Sequence, residues 1–286
     1  MFALKRTSPA ADLTLTSEHD AIARPRKGEV HWDSFDRTAY TSEELDRAAE
    51  LWAGRAVQEM HSLALFTELL SQIHLLGAPL DWSGAFARMI ADEVRHTDLC
   101  LRMCETLGRP VTPDIDASRL HLLEGRTERA SIRHTVVAAF CIGETISGRM
   151  FRRAHRAANV PLARDVVQAI VIDETFHGEL GWELGALLMR GNDAEVANER
   201  AALATELPAL FRHFARLGCA TRGPHWARSE PEVDQGTNFG TLTTAGYARA
   251  FFDGMEEDVV PGLDAIGLPE AHAAYAELVA DLDRAG

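Results

Sequence analysis

The chain has 286 residues, of which 46% are hydrophobic, so it is long enough to bury a substantial core and lies near the upper size limit of a single domain. Its 29 Lys and Arg residues against 43 Asp and Glu give a net charge of -14, which repels polyanions and argues against nucleic acid as a partner. The cysteines lie within or beside helical patterns, and no apolar run has the length of a signal peptide or a membrane span, so we expect reduced thiols, a cytoplasmic location and no membrane partner.

Residues 1–40 are polar and show no sustained periodicity, which predicts an irregular N-terminal arm. Thr41 and Glu44 have the spacing of a capping box, which predicts the start of a long helix. Glycine and proline residues then divide residues 41–191 into four long helices. Their predicted limits are Thr41–Gly77, Asp81–Gly108, about Arg129–Asn159, and Pro161–Gly191.

Residues 192–286 are predicted to form a helical extension that packs on these four helices. We expect a helix near 194–217 with a bend at Pro208, a loop over 221–240, and helical segments near 243–260 and 269–284. Strand-like alternation is nearly absent, so the predicted fold class is all-α.

The second and fourth helices each direct a Glu-x-x-His motif into the core. Steps of three and four residues along their apolar faces reach Glu93 and His96 in one helix, and Glu174 and His177 in the other. Because an ionised carboxylate is costly to bury without compensation, these residues need a cation or protons nearby.

The first and third helices each add one inward-facing acid. Glu59 lies on the apolar stripe of its helix, whereas Glu50 and Glu68 lie on the opposite face. Glu144 is the only acidic residue between Ala130 and Val160.

Four successive helices therefore provide Glu, Glu-x-x-His, Glu and Glu-x-x-His. This set resembles the ligands of the ferritin-like superfamily, particularly its di-iron oxygenases and oxidases, over the range Thr41–Arg190. The resemblance implies a ferritin-like four-helix bundle that binds two iron ions, with manganese as an alternative. It makes Glu93 and Glu174 bridging ligands and the other four residues terminal ligands, namely Glu59, His96, Glu144 and His177.

The same resemblance gives roles to residues beside the ligands. Asp92 and Asp173 precede the two motif glutamates and would accept hydrogen bonds from the metal-bound imidazoles. Cys100 stands one turn after His96, as in bacterial multicomponent monooxygenases, although packing as a small hydrophobic residue explains it as well. Arg95 has no counterpart in the second motif, where Phe176 stands, so we expect no essential role for it.

Interior helical glycines flank Glu144 and follow His177, and each destabilises a helix by about 1 kcal/mol relative to alanine. Either close helix packing or a substrate space beside the metals would explain them. They are Gly143, Gly148, Gly178, Gly181 and Gly185.

The resemblance implies an enzyme that activates dioxygen to oxidise a small organic substrate by hydroxylation, desaturation, N-oxygenation or oxidative cleavage. Since the sequence contains no flavin or ferredoxin motif, we expect an external electron donor, such as a ferredoxin or reductase, or peroxide. A homodimer is compatible with the sequence. The alternatives are an iron-handling ferroxidase or peroxidase of the same superfamily, and a structural bundle in which the buried Glu and His residues form only ion pairs.

Overall fold

The computed structural model describes residues 2–3, 19–75, 78–115, 128–191 and 194–285. These residues are predominantly helical, in agreement with the predicted all-α class. From the N-terminus the α-helices are α1 (Ser42–Leu75), α2 (Leu80–Thr106), α3 (Glu128–Thr135), α4 (Thr145–Ala157), α5 (Pro161–Leu188), α6 (Ala194–Leu217), α7 (Pro224–Ser229), α8 (Thr244–Gly254), α9 (Val260–Ala265) and α10 (Glu270–Ala285).

The extended structure among these residues is short. Strand β1 (Phe2–Ala3) pairs antiparallel with β2 (Asp114–Ile115), and Phe2 lies opposite Ile115. Residues 19–23 are helical, and two single-turn 3-10 helices, Trp32–Ser34 and Arg37–Ala39, precede α1. The part of the N-terminal arm that the structure describes thus contains more local structure than its composition predicts.

The predicted helix limits agree with the observed ends wherever these are described. At the start of α1 the Thr41 backbone N–H donates to Glu44 Oε2 over 2.8 Å, and the Glu44 N–H donates to Thr41 Oγ1 over 3.2 Å, which confirms the capping box. Gly108 and Gly191 follow α2 and α5 with φ angles of 70° and 121°, which glycine adopts more readily than other residues. The predicted stop at Gly77 lies outside the described residues.

The third predicted helix is interrupted by a π-helix. Segment π1 (Val136–Glu144) joins α3 to α4 without a break, and Glu144 is its last residue. The prediction of a helix over about Arg129–Asn159 agrees with the observed helical range, but the middle of this range is a π-helix, which the sequence does not predict. Since a π-helix holds more residues per turn than an α-helix, π1 rotates the faces of α4 relative to those of α3.

The C-terminal part is more continuously helical than the sequence predicts. Helix α7 lies within the segment that we expected to be a loop, and α8 continues through π2 (Met255–Val259) into α9. Pro208 lies inside α6, which extends from Ala194 to Leu217. Among the helices of the described residues, none combines the length and the apolar character needed to cross a bilayer.

The chain divides into two compact units. Unit 1 comprises residues 1–128 and 160–173, and unit 2 comprises residues 129–159 and 174–286, so the unit boundary falls within α5. In unit 1, α1 packs along α2 around fully buried side chains that include Trp52, Phe66, Phe86 and Met89.

In unit 2, α6 packs against α10, and α4 packs against α8. Its largest fully buried side chains are aromatic: Phe140, Phe211, Phe251 and Phe252. The indole of Trp182 on α5 lies against Gly262 on α9, where a Cβ would come within 2.5 Å of the ring, and its Nε1 donates to Thr145 Oγ1 over 3.1 Å. A glycine is therefore required at this crossing.

Candidate metal centre

Unit 1 gathers two buried glutamates and one buried histidine, which we call the first trio: Glu59 from α1 and Glu93 and His96 from α2. One ligand atom of each lies within 4.8 Å of those of the other two. The His96 Nδ1 is 3.4 Å from Glu59 Oε2 and 3.9 Å from Glu93 Oε1. Helical spacing places Glu93 and His96 on one face of α2, and the packing of α1 on α2 brings Glu59 to that face.

The other nitrogen of the His96 imidazole lies near a carboxylate. Its Nε2 is 3.4 Å from Oδ2 of Asp173. Asp173 is fully buried and is the last residue of α5 that belongs to unit 1. A carboxylate in this position favours the tautomer with its proton on Nε2, in which the lone pair of Nδ1 faces Glu59 and Glu93. The resemblance noted in the sequence implies such a contact for Asp173.

Behind Asp173 lies a buried ion network that the sequence does not predict. The Arg95 guanidinium donates to Asp92 Oδ1 over 2.7 Å and to Asp173 Oδ2 over 2.8 Å, and Arg26 Nε donates to Asp92 Oδ1 over 2.7 Å. Arg95, for which we expected no essential role, thus joins both aspartates. The sequence feature that could have revealed this role is the pair of inward-facing Asp residues, since two buried carboxylates require cations nearby.

Unit 2 contains a second trio with the same composition: Glu144 at the end of π1, and Glu174 and His177 on α5. All three are buried, and one ligand atom of each lies within 4.8 Å of those of the other two. The His177 Nδ1 is 3.4 Å from Glu144 Oε2 and 3.7 Å from Glu174 Oε1. In each trio the imidazole Nδ1 therefore lies closer to the lone glutamate than to the glutamate of its own motif.

The donor chemistry of both trios suits a metal ion. Each offers carboxylate oxygens and one imidazole nitrogen in a buried position, which is the ligand type preferred by iron and manganese in an oxygen-rich site. A divalent cation would also compensate the negative charge of the buried carboxylates. Buried Glu and His groups that could hold a metal ion are thus present in both units.

Cys100 is fully buried near the first trio. Burial, together with the negative charges of Glu59 and Glu93, raises the pKa of its thiol well above the usual range. The side chain is therefore a neutral thiol at physiological pH, which disfavours it as a nucleophile or as a thiolate ligand. The packing interpretation of Cys100 accounts for this environment.

The glycines after His177 differ in what surrounds them. A Cβ at Gly181 would lie 2.7 Å from Phe140 Cβ, and a Cβ at Gly185 would lie 2.8 Å from Cys141 Sγ, so both glycines permit close packing against π1. A Cβ at Gly178 would have no neighbour within 4 Å. Close packing therefore explains Gly181 and Gly185, whereas Gly178 borders open space next to His177.

Comparisons with known proteins give no match: no family model, no curated protein and no solved structure matches this chain.

Proposed function

We propose that this chain is a non-haem di-iron oxygenase or oxidase with a ferritin-like four-helix bundle. The observation that carries the proposal is the pair of buried trios, each with two glutamates and one histidine whose ligand atoms lie within 4.8 Å of one another. Two sites of the same composition in one chain favour a pair of like metals over unrelated buried ion pairs.

The first trio would hold one metal through Glu59, Glu93 and His96, and the second would hold another through Glu144, Glu174 and His177. When bound, such a pair supplies the electrons that reduce dioxygen and the oxidising power that acts on a small organic substrate.

The chain itself supplies orientation and a dry setting. Asp173 lies beside the His96 Nε2 and thereby keeps Nδ1 available as a ligand atom. Arg95 donates a hydrogen bond to Asp173 and holds that carboxylate in place. Since the side chains of both trios are buried, bulk water is largely excluded from the ligand atoms, which strengthens electrostatic interactions there.

The proposal includes an external electron donor, such as a ferredoxin or reductase, or peroxide, because the four cysteines form no Cys-x-x-Cys pair that would bind an electron-transfer metal. Gly178 follows His177 in α5, and a Cβ there would have no neighbour within 4 Å, which supports an approach of dioxygen or a substrate from this side. The substrate class is a small organic molecule.

The oxygen reaction distinguishes the proposal from its alternatives. The protein should be loaded anaerobically with two equivalents of Fe(II), mixed with oxygen in a stopped-flow spectrophotometer, and then given excess Fe(II). An oxygenase or oxidase should give one rapid optical change per loaded chain and little further iron oxidation. Repeated turnover of the excess to ferric mineral would support the ferroxidase, and no iron-dependent optical change would support the structural bundle.

A further inference from the structure

The N-terminal arm places one arginine on the ion network behind the first trio. Arg26 Nε lies 2.7 Å from Asp92 Oδ1 and 3.4 Å from Asp173 Oδ1. Both aspartates have no exposed side-chain surface, whereas 36% of the Arg26 side chain is exposed. Arg26 therefore covers two buried carboxylates from the solvent side.

The charges of the network explain why this residue is needed. Asp92 and Asp173 both accept a hydrogen bond from one Arg95 guanidinium, so within that group two negative charges face one positive charge. Arg26 adds a second positive charge at hydrogen-bonding distance, and Arg88 lies farther away at 3.7 Å from Asp92 Oδ2. Since like charges in a buried site repel strongly, Arg26 offsets the repulsion between the two carboxylates from a shorter distance than Arg88 does.

The two oxygens of Asp173 face different partners. Oδ2 lies 2.8 Å from Arg95 and 3.4 Å from the His96 Nε2, whereas Oδ1 lies 3.4 Å from Arg26. The hydrogen bond from Arg95 fixes Oδ2, whereas Oδ1 accepts no hydrogen bond and has only the ion-pair contact with Arg26. The cation at Oδ1 therefore favours one orientation of the carboxylate, and with it one orientation of the imidazole that Oδ2 faces.

The backbone of the arm is attached at two further points. Arg95 Nε donates to the carbonyl oxygen of Arg24 over 2.7 Å, and His19 Nε2 lies 3.1 Å from Asp98 Oδ1. These contacts hold residues 19–26 along α2, so that Arg26 reaches the aspartates in a defined position. Composition alone predicts none of them.

We propose that Arg26 is a positioning residue for the metal centre and acts on His96 through Asp173. Residues 19–26 of the arm thereby support the metal site that the first trio forms. This inference rests on the proposed metal-binding function and extends it to a segment that contains no metal ligand. The alternative is that Arg26 stabilises the fold and leaves the metal site unaffected.

The test compares three variants of the full chain. Arg26→Gln removes the cation, Arg26→Lys restores a charge, and Arg24→Gln is the matched control. Arg24 lies in the same arm with an exposed side chain, and only its backbone carbonyl contacts Arg95. Each protein is titrated with Co(II), whose visible absorption reports the geometry and number of its ligands, and thermal unfolding is measured without metal.

The unmodified chain and Arg24→Gln should bind about two Co(II) per chain with the same spectrum. Arg26→Gln should weaken one of the two binding events by about 10–100-fold and shift the corresponding absorption band, whereas the other event should be unchanged. Arg26→Lys should restore most of the lost affinity.

The inference is overturned if Arg26→Gln matches Arg24→Gln in both affinity and spectrum, even if its metal-free form unfolds at a lower temperature. Failure of the proposed function gives a different result, because the unmodified chain would then bind no stoichiometric Co(II).

Discussion

The Nε2 atom of His96 lies 3.4 Å from Oδ2 of Asp173, a contact between residues of α2 and α5 within unit 1. This contact links the first trio to the network of Asp92, Arg95 and Arg26 behind it. The imidazole therefore has a carboxylate at each ring nitrogen: Asp173 at Nε2, and Glu59 at Nδ1. Arg95 and Arg26 both contact Asp173.

Asp173→Asn should weaken both metal binding and the fold. An amide cannot hold a proton on Nε2 as strongly as a carboxylate, so we expect a loss of about 10–100-fold in metal affinity. The buried Arg95 would also lose a charged partner, which should lower the free energy of unfolding by about 1–3 kcal/mol. Calorimetric metal titration and urea unfolding measure the two effects. Unchanged metal affinity would refute the role of Asp173.

Glu59→Gln should abolish metal binding by the first trio, because it removes the negative charge of a carboxylate that lies 3.4 Å from His96 Nδ1. Glu50→Gln is the matched control, since Glu50 lies on the same helix with an exposed side chain. We expect Glu59→Gln to bind one metal fewer than the control by elemental analysis after dialysis. Equal metal content in the two variants would exclude Glu59 as a ligand.

Two glycine substitutions separate close packing from open space. At Gly181 a Cβ would meet Phe140 Cβ at 2.7 Å, so we expect Gly181→Ala to destabilise the protein by about 1–2 kcal/mol in spite of the better helix propensity of alanine. At Gly178 nothing lies within 4 Å, so Gly178→Ala should stabilise the helix by up to about 1 kcal/mol. Urea unfolding measures both changes. If Gly181→Ala instead changed the free energy of unfolding by the same amount and in the same direction as Gly178→Ala, the packing of π1 on α5 would be looser than described.

Cys104 should make stability depend on alkaline pH. Burial raises the pKa of its thiol from 9.0 to about 11. Between pH 9 and pH 11 the thiol is therefore deprotonated in the unfolded state and protonated in the folded state. The stabilisation is complete below pH 9, where the thiol is protonated in both states, and is lost as the pH rises towards 11. The loss should reach about 2–3 kcal/mol, since each pKa unit corresponds to about 1.4 kcal/mol.

Cys104→Ala is the control for this dependence, because it removes the titrating thiol and leaves the other alkaline groups in place. Urea unfolding at several pH values between 8.5 and 11 should show that the free energy of unfolding falls less steeply with pH for the variant than for the unmodified chain. The difference between the two free energies should shrink as the pH rises, by the amount expected for one thiol. Parallel curves for the two proteins would show that Cys104 titrates normally.

The helix limits and the trio residues were within reach of the sequence. The capping box at Thr41 and the glycine at 108 follow from local chemistry, and the inward positions of Glu93, His96, Glu174 and His177 follow from the period of the α-helix. Glu59 and Glu144 could be chosen because each lies on an apolar face where an acid needs an explanation. These are local features, which a single sequence records directly.

The features that the sequence did not predict have two physical causes. Segment π1 was missed because apolar residues continue through it and an added residue per turn leaves no composition signal. The contacts of Arg26 with Asp92 and Asp173 were missed because they join residues far apart in the chain, and a surface arginine in a polar arm resembles any other.

The central claim is that this chain holds a pair of metal ions through the two trios. Anaerobic titration of the metal-free protein with Fe(II), followed by calorimetry and by elemental analysis of the product, tests it most directly. The chain should saturate at about two irons, and either Glu59→Gln or Glu144→Gln should lower this number to about one. Saturation below one iron per chain, or two irons retained in both variants, would contradict it.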